Sequence, residues 1–217
     1  MTSLAALVIW LEAAGCERVL LLDNASSFEP LLDYYRESPH EVVRLPENLG
    51  ARALWLAGLV PNTWFVYTDP DIVPIEACPL DLVDYLYELL FRFPDAPKAG
   101  VGLYLDDVPE SNAKLLAHER RLLEPNHPHW GGPLPGATAT FSPVYDSWVD
   151  TTLALYRPGS EWFLRSLRTG WPYQARHLSA SWYYPDDPSD EDRYYLGHAK
   201  PGPLYSGWKG VHERNAV

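Results

Sequence analysis

The chain is poor in cysteine, in basic residues and in long apolar runs, and each shortage argues against one class of protein. Its 217 residues include two cysteines, Cys16 and Cys78, too few for a disulfide framework and typical of a reducing compartment. Lys and Arg number 17 against 29 Asp and Glu, and the net charge of −12 argues against nucleic acid or an anionic membrane as the main partner. No apolar run approaches the ~20 residues of a membrane span. The amino terminus also lacks the basic region of a signal peptide, so we expect a cytoplasmic protein without a transmembrane segment.

The residues that are abundant indicate a globular enzyme-sized domain. Hydrophobic residues make up 47% of the chain, which excludes a disordered protein. The 9 Trp, 14 Tyr and 6 Phe are numerous, and many of them fall in Pro- and Gly-rich segments of the second half, where flat rings suit sugar-like ligands. Packing alone accounts for most of them, however.

Helical and strand-like segments alternate through the first hundred residues. We predict helices over 4–14, 28–36, 51–59 and 79–93, and strands over 18–22, 41–45, 64–68 and 99–105. In the second half we predict helices over 111–123, 161–168 and 190–198 and a strand over 148–156. This alternation is typical of an α/β fold with a mostly parallel sheet flanked by helices. We expect one domain, 1–217, with a ligand-binding half (1–107) and a second half (108–217) that faces another substrate.

The most informative stretch is the strand over 64–68 and the two carboxylates that follow it, Asp69 and Asp71. Two carboxylates at the end of a buried strand are costly unless a positive charge lies between them. A hard divalent cation such as Mn²⁺ or Mg²⁺ would supply that charge and keep open positions for phosphate. A plain turn is the simpler alternative, since Asp and Pro both favour turns.

Other carboxylates follow the ends of neighbouring predicted strands. Asp23 ends the strand over 18–22, and Asp106 and Asp107 follow the strand over 99–105. Because the carboxyl ends of parallel strands meet at one edge of a sheet, these side chains are predicted to gather around one ligand site.

Three strings of the first half resemble the bacterial GT-A-fold glycosyltransferases of the family-2 type. They are Asp23-Asn24-Ala25-Ser26-Ser27, Glu47-Asn48-Leu49-Gly50 and Thr68-Asp69-Pro70-Asp71, and both their order and their spacing fit. The later strings Val149-Asp150-Thr151-Thr152-Leu153-Ala154-Leu155-Tyr156-Arg157 and Ala175-Arg176-His177-Leu178 resemble one branch of these enzymes. The resemblance covers nearly the whole chain.

The resemblance implies a role for each matching residue. Asp23 and Asn48 would line the nucleotide site, and Asp69 and Asp71 would bind Mn²⁺ or Mg²⁺ and, through it, the diphosphate of a nucleoside-diphosphate sugar. A UDP-sugar is the favoured donor, and the acceptor would be a glycan or a small hydroxyl compound. Asp106 and Asp107 would line the site of the donor sugar or of the acceptor, although they fit a simple turn at a strand end as well. Arg176 would face the diphosphate, although it fits a surface salt bridge equally well.

An inverting enzyme of this kind needs a carboxylate base for the acceptor hydroxyl. Asp150 is the first candidate and Glu191 and Asp192 are the rivals, while simple structural roles for all three stay open. A late histidine ligand is also implied, with His177, His198 and His212 as candidates, and Trp130 could stack on the acceptor sugar.

One part of the resemblance is missing. The family opens with a strand that lies between those predicted here over 18–22 and 64–68, and the printed sequence has no segment for it before the first helix. Either the natural protein is longer or another segment fills this position. Two alternatives to a glycosyltransferase also stay open. One is a sugar-1-phosphate nucleotidyltransferase, although no basic Gly-rich phosphate loop is found. The other is a non-catalytic remnant that binds a sugar or a partner.

Overall fold

The computed structural model describes residues 3–122, 132–133, 142–179, 183 and 188–198. Its helices within these ranges are α1 (Ser3–Ala13), α2 (Glu29–Glu37), α3 (Ala53–Leu56), α4 (Leu82–Arg92), α5 (Ala113–Arg121) and α6 (Asp190–His198). Its strands are β1 (Leu20–Asp23), β2 (Glu41–Arg44), β3 (Phe65–Tyr67), β4 (Ile72–Pro74), β5 (Lys98–Gly100), β6 (Gly102–Leu103), β7 (Gly132–Pro133), β8 (Val144–Trp148), β9 (Ala154–Tyr156), β10 (Arg165–Thr169) and β11 (Gln174–His177). The mixed α/β class expected from the sequence is confirmed.

The first two strands form a small sheet of their own. β1 and β2 pair in parallel with Asp23 opposite Arg44, as the β-α-β pattern of the sequence predicts. Leu4 and Val8 of α1 are buried against Leu21 of β1. Within the described residues, neither strand hydrogen-bonds to a strand of another sheet.

The largest sheet has six strands in the order β3-β9-β5-β10-β8-β7. β9 lies between β3 and β5 and runs antiparallel to both, and β5 with β10 is the single parallel pair among these strands. The expectation of a mostly parallel sheet is therefore not confirmed. The physical reason is that a strand from the second half of the chain fills the position between two strands that sequence order would make neighbours.

The third sheet, β4-β11-β6, brings distant residues together. β11 runs antiparallel to β4 and parallel to β6. The register sets His177 opposite Ile72, one residue after Asp71. A strand late in the chain thus ends beside the turn that carries the two aspartates.

The predicted helix over 161–168 is wrong. Residues Arg165–Thr169 form β10, which pairs with β5 on one side and β8 on the other. This pairing buries Leu167, which is 4% exposed, inside the main core. Burial between two strands outweighs the weak helical preference of the segment.

The predicted strand over 148–156 is interrupted. β8 ends at Trp148 and β9 begins at Ala154, with a turn over 149–152 between them. Asp150 in this turn has φ of 48°, in the left-handed region that an extended strand cannot accommodate. The turn is important because it carries one of the predicted catalytic residues.

α4 anchors the core that the two halves of the chain share. Leu82, Leu86 and Leu90 recur at four-residue spacing and are all 0% exposed. Their cluster includes Leu155 of β9 and Leu167 of β10, from the second half. Each such side chain contributes about 1.5–3 kcal/mol through burial, so the halves are held together as one domain.

A buried ion pair joins α5 to β10. Arg168 Nη2 donates to Glu119 Oε2 at 3.0 Å and Nη1 donates to the Trp148 carbonyl at 3.3 Å. The Tyr183 hydroxyl donates to Glu119 Oε1 at 3.0 Å. Both charged side chains are below 10% exposed, so each depends on the other for compensation.

We expect Arg168→Met to lower the free energy of unfolding by about 3–5 kcal/mol, because Glu119 would keep a buried charge without its cation. Arg165→Met is the matched control two residues away, since the Arg165–Asp146 pair is substantially exposed and should contribute only about 0–1 kcal/mol. Urea denaturation of both variants measures the difference. Equal losses in the two variants would contradict a special role for the buried pair.

Within the part of the chain that the structure describes, no helix combines the length and apolar character needed to cross a bilayer.

Candidate functional site

The two aspartates of the 69–71 segment lie in a turn between β3 and β4. The Asp69 amide donates to the Thr151 carbonyl at 3.0 Å, and the Thr151 hydroxyl donates back to Asp69 Oδ2. Burial and the neighbouring charge of Asp71 raise the pKa of Asp69 to about 7, against the opposing effects of Thr151 and His177. Asp69 is therefore a carboxyl group whose charge is poorly compensated, as expected where a cation would bind.

Asp71 contacts the histidine that ends β11. His177 Nε2 lies 3.1 Å from Asp71 Oδ2, and the Leu178 amide donates to the Asp71 carbonyl at 2.7 Å. Burial alone would lower the pKa of His177, but the charge and hydrogen bond of Asp71 and the charge of Asp69 outweigh it, so the pKa is raised. Asp69, Asp71 and His177 thus form one electrostatic cluster, which we name the acidic cluster.

Of the four predicted metal ligands that lie within the described residues, three are in the acidic cluster and His198 is not. His198 lies at the end of α6, where Nδ1 is 2.8 Å from the Tyr194 carbonyl and the two rings stack at 3.9 Å. Within the described residues, no three Asp, Glu, His or Cys side chains converge closely enough to form a complete metal site. The pair formed by Asp71 and His177 is the part of the cluster that could hold a cation.

The distance within this pair fits an octahedral ion. Two ligand atoms at right angles, each about 2.1 Å from a cation, are separated by ~3.0 Å. The observed 3.1 Å between Asp71 Oδ2 and His177 Nε2 is that of a direct hydrogen bond, and the same spacing is compatible with two ligands of one ion. One oxygen and one imidazole nitrogen favour Mn²⁺ over Mg²⁺, which prefers oxygen alone, and they leave most coordination positions for other ligands.

Asp150 also lies near the acidic cluster. The residue is exposed at the surface, yet the protein atoms around it remove enough water to raise the pKa of its carboxyl group. The charges of Lys98 and His177 oppose this shift. A carboxyl group with a raised pKa that is still reached by solvent suits a general base.

The rival bases lie at the start of α6 and differ from each other. Asp192 Oδ2 accepts from the Ser189 amide at 2.9 Å and from its hydroxyl at 2.5 Å, and Ser189 Oγ accepts from the Asp192 amide at 3.1 Å. This reciprocal cap gives Asp192 a structural role. Burial and the charges of Asp192 and Asp71 raise the pKa of Glu191, so the charge of Asp71 acts on the Glu191 carboxyl group.

Both carboxylate oxygens of Asp23 accept hydrogen bonds from other residues of the protein. It is 1% exposed, and its Oδ2 accepts from Arg44 Nε at 2.9 Å while Oδ1 accepts from the Ser26 amide at 3.1 Å. Asn48 makes a local bond, with its Oδ1 accepting from the Gly50 amide at 2.8 Å. In this conformation both residues shape the loops after β1 and β2.

The remaining predicted contacts lie on another face. Arg176 forms an ion pair with Asp107 and lies 5.2 Å from the centre of the Tyr104 ring. Because successive side chains of a strand point to opposite faces, Arg176 points away from the face of β11 that carries His177. Asp106 is exposed beside Asp107. The structure therefore separates Arg176 and its partner Asp107 from His177.

Sequence reasoning missed two residues of this region. The predicted strand over 148–156 includes Thr151 and does not indicate that its hydroxyl donates to Asp69. Lys98 precedes an apolar strand and resembles any strand-end lysine, yet its side chain is completely buried. No sequence signal distinguishes either residue, because each acts across strands that are distant in the chain. Trp130 and His212 lie outside the described residues.

No family model matches this sequence, and no curated protein or solved structure matches it significantly.

Proposed function

We propose that this protein is a metal-dependent glycosyltransferase that transfers a sugar from a nucleoside-diphosphate sugar, with a UDP-sugar as the favoured donor. The acceptor would be a glycan or a small hydroxyl compound. The observation that carries the proposal is the contact of Asp71 with His177, which lies 106 positions later in the sequence. Beside this contact lies Asp69, a carboxyl group with a raised pKa. The resemblance of the strings around Asp23, Asn48 and Asp69 to GT-A enzymes supports it.

Asp71 and His177 would hold Mn²⁺, and the donor diphosphate would complete its coordination. The ion, when bound, would neutralise the charge that develops on the diphosphate as the glycosidic bond breaks. Asp69 would add negative charge to the site and would be oriented by Thr151. The two acidic side chains, Asp69 and Asp71, then have a reason to share one region despite their repulsion.

Asp150 would accept the proton of the acceptor hydroxyl. Its raised pKa brings its proton affinity closer to neutral pH, where a general base is most effective. Glu191 is the alternative base, since the charge of Asp71 acts on its carboxyl as well.

We expect UDP with Mn²⁺ to raise the melting temperature of the protein. At a ligand concentration about 100 times the dissociation constant, binding stabilises the fold by ~2.7 kcal/mol, which corresponds to roughly 5–10 °C for a chain of this size. Differential scanning fluorimetry with each nucleoside diphosphate, with and without Mn²⁺, measures the shift. The absence of any shift with every nucleotide would overturn the proposal.

A non-catalytic binding protein is the second candidate. It is favoured by the small number of cation ligands, since no group of three converges among the described residues. Such a protein would bind nucleotide and metal without turnover. Release of UDP from UDP-sugars in the presence of Mn²⁺ separates the two, because only an enzyme hydrolyses the donor.

A further inference from the structure

Lys98 is buried at the first position of β5, in surroundings that penalise its charge. The side chain is 0% exposed, and burial lowers the pKa of its amine to about 7, against the attraction of Asp150 and Asp69. Nζ lies 5.1 Å from the ring centres of Tyr156 and Trp162. An apolar side chain of similar volume would cost less free energy to bury here, so packing alone does not explain the amine.

The strand itself does not require that amine. Lys98 pairs with Tyr156 through the β5–β9 ladder. Its amide donates to Ser166 Oγ at 3.3 Å, and the Ser166 hydroxyl donates to the Lys98 carbonyl. The backbone of Lys98 is therefore held by bonds that any residue at this position could make.

The amine has two acceptors, and one of them belongs to the turn over 149–152. Nζ donates to the Asp150 carbonyl at 2.6 Å and to the Tyr156 hydroxyl at 3.0 Å. Asp150 has the left-handed backbone, which costs free energy in a residue other than glycine. The bond from Lys98 acts on the peptide unit that directly precedes Thr151.

Thr151 in turn makes two bonds with Asp69. Its carbonyl accepts from the Asp69 amide at 3.0 Å, and its hydroxyl donates to the Asp69 carboxylate. A path of direct bonds thus runs from Lys98 through the turn to the first aspartate of the acidic cluster. Other bonds hold the far sides of the turn, including those from the Val149 and Asp150 amides to the Leu164 carbonyl.

We propose that Lys98 is a positioning residue that holds the turn over 149–152 against Asp69, so that Asp150 and Thr151 keep their places at the candidate site. The effect on ligand binding rests on the proposed function, whereas the effect on the turn does not. Lys98 touches no substrate and acts through the Asp150 carbonyl.

The test compares Lys98→Met with Tyr156→Phe. The first variant removes both bonds of the amine, and the second removes only the bond to the hydroxyl and leaves the bond to the turn. Amide hydrogen exchange, followed by mass spectrometry without metal or nucleotide, reports on the turn and on Asp69. Isothermal titration of Mn²⁺ in the presence of UDP reports on the site.

In Lys98→Met we expect exchange at 149–152 and at Asp69 to be about tenfold faster and Mn²⁺ binding about tenfold weaker, as for the loss of one buried hydrogen bond to a charged group. In Tyr156→Phe the exchange rates and the affinity for Mn²⁺ should stay close to the wild-type values. Wild-type exchange rates in Lys98→Met would overturn the proposal, and so would equal changes in both variants, since they would indicate a purely structural cluster.

Two further outcomes need a separate interpretation. If the wild type binds no Mn²⁺ with UDP, the proposed function fails, while the exchange rates still decide the role of Lys98. If Lys98→Met does not fold, the double variant Lys98→Met/Tyr156→Phe, which leaves no orphaned hydroxyl, is compared with Tyr156→Phe on the same criteria.

Discussion

Replacing Asp71 with Ala should abolish the rise in melting temperature that UDP and Mn²⁺ produce. Asp71 supplies the oxygen of the pair that could hold the ion, and its Oδ2 lies 3.1 Å from His177 Nε2. Loss of this oxygen should weaken Mn²⁺ binding on the order of 100-fold or more. Scanning fluorimetry and titration calorimetry on the wild type and the variant measure both effects.

The position of Asp71 makes it more important than Asp69. Asp69 Oδ2 already accepts from the Thr151 hydroxyl, so this oxygen is less available to an ion than Oδ2 of Asp71. Asp69→Asn should therefore reduce the thermal shift less than Asp71→Ala does. Asp106→Ala is the matched control, since Asp106 is exposed and, within the described residues, shares no hydrogen bond or ion pair with Asp69, Asp71 or His177. A full shift retained in Asp71→Ala would contradict the assignment.

Asp150→Asn should lower the rate of donor turnover by about 10²–10⁴-fold while leaving the binding of UDP and Mn²⁺ unchanged. Asn is suitable because it tolerates the left-handed backbone of this position, so the turn and its bond to Lys98 are kept. The substitution removes the proton acceptor and one negative charge, keeps the size of the side chain, and leaves unchanged Asp71 and His177, the two side chains proposed to hold the ion. Release of UDP from a UDP-sugar, with water as the acceptor, measures the rate.

Glu191→Gln is the companion variant for this prediction. Glu191 lies at the start of α6, where its pKa is raised by burial and by the charges of Asp192 and Asp71. If Asp150 is the base, Glu191→Gln should keep a rate within about tenfold of that of the wild type. A large loss in Glu191→Gln together with normal turnover in Asp150→Asn would assign the base to Glu191.

Local structure was predictable wherever it follows from periodic patterns. The helices α1, α2, α4 and α6 and the strands β1, β2 and β3 lie close to their predicted positions, because their apolar spacing and their end signals agree. The prediction of a helix over 161–168 was wrong because it depended on the local helical preference of these residues. Their burial between β5 and β8 depends on strands that are distant in the sequence.

Some residues of the candidate site were likewise predictable from the sequence, and others were not. The carboxylate pair of Asp69 and Asp71 was recognisable from a strand followed by two acids. The choice of His177 over His198 was not, because it depends on β11 pairing with β4 so that His177 lies opposite Ile72. Lys98 lies in no motif, and the string that contains Thr151 does not indicate its contact with Asp69. The roles of both residues arise from contacts between elements that are separated by more than fifty residues.

The sequence by itself determined the mixed α/β class, the acidic character and the two aspartates at a strand end, since these depend on composition and on local periodicity. Only the tertiary structure decided the order of the strands, with β9 between β3 and β5, and the identity of the histidine beside Asp71. Strand order and side-chain convergence depend on which apolar faces bury each other across the chain, and that choice is made by the packed core as a whole.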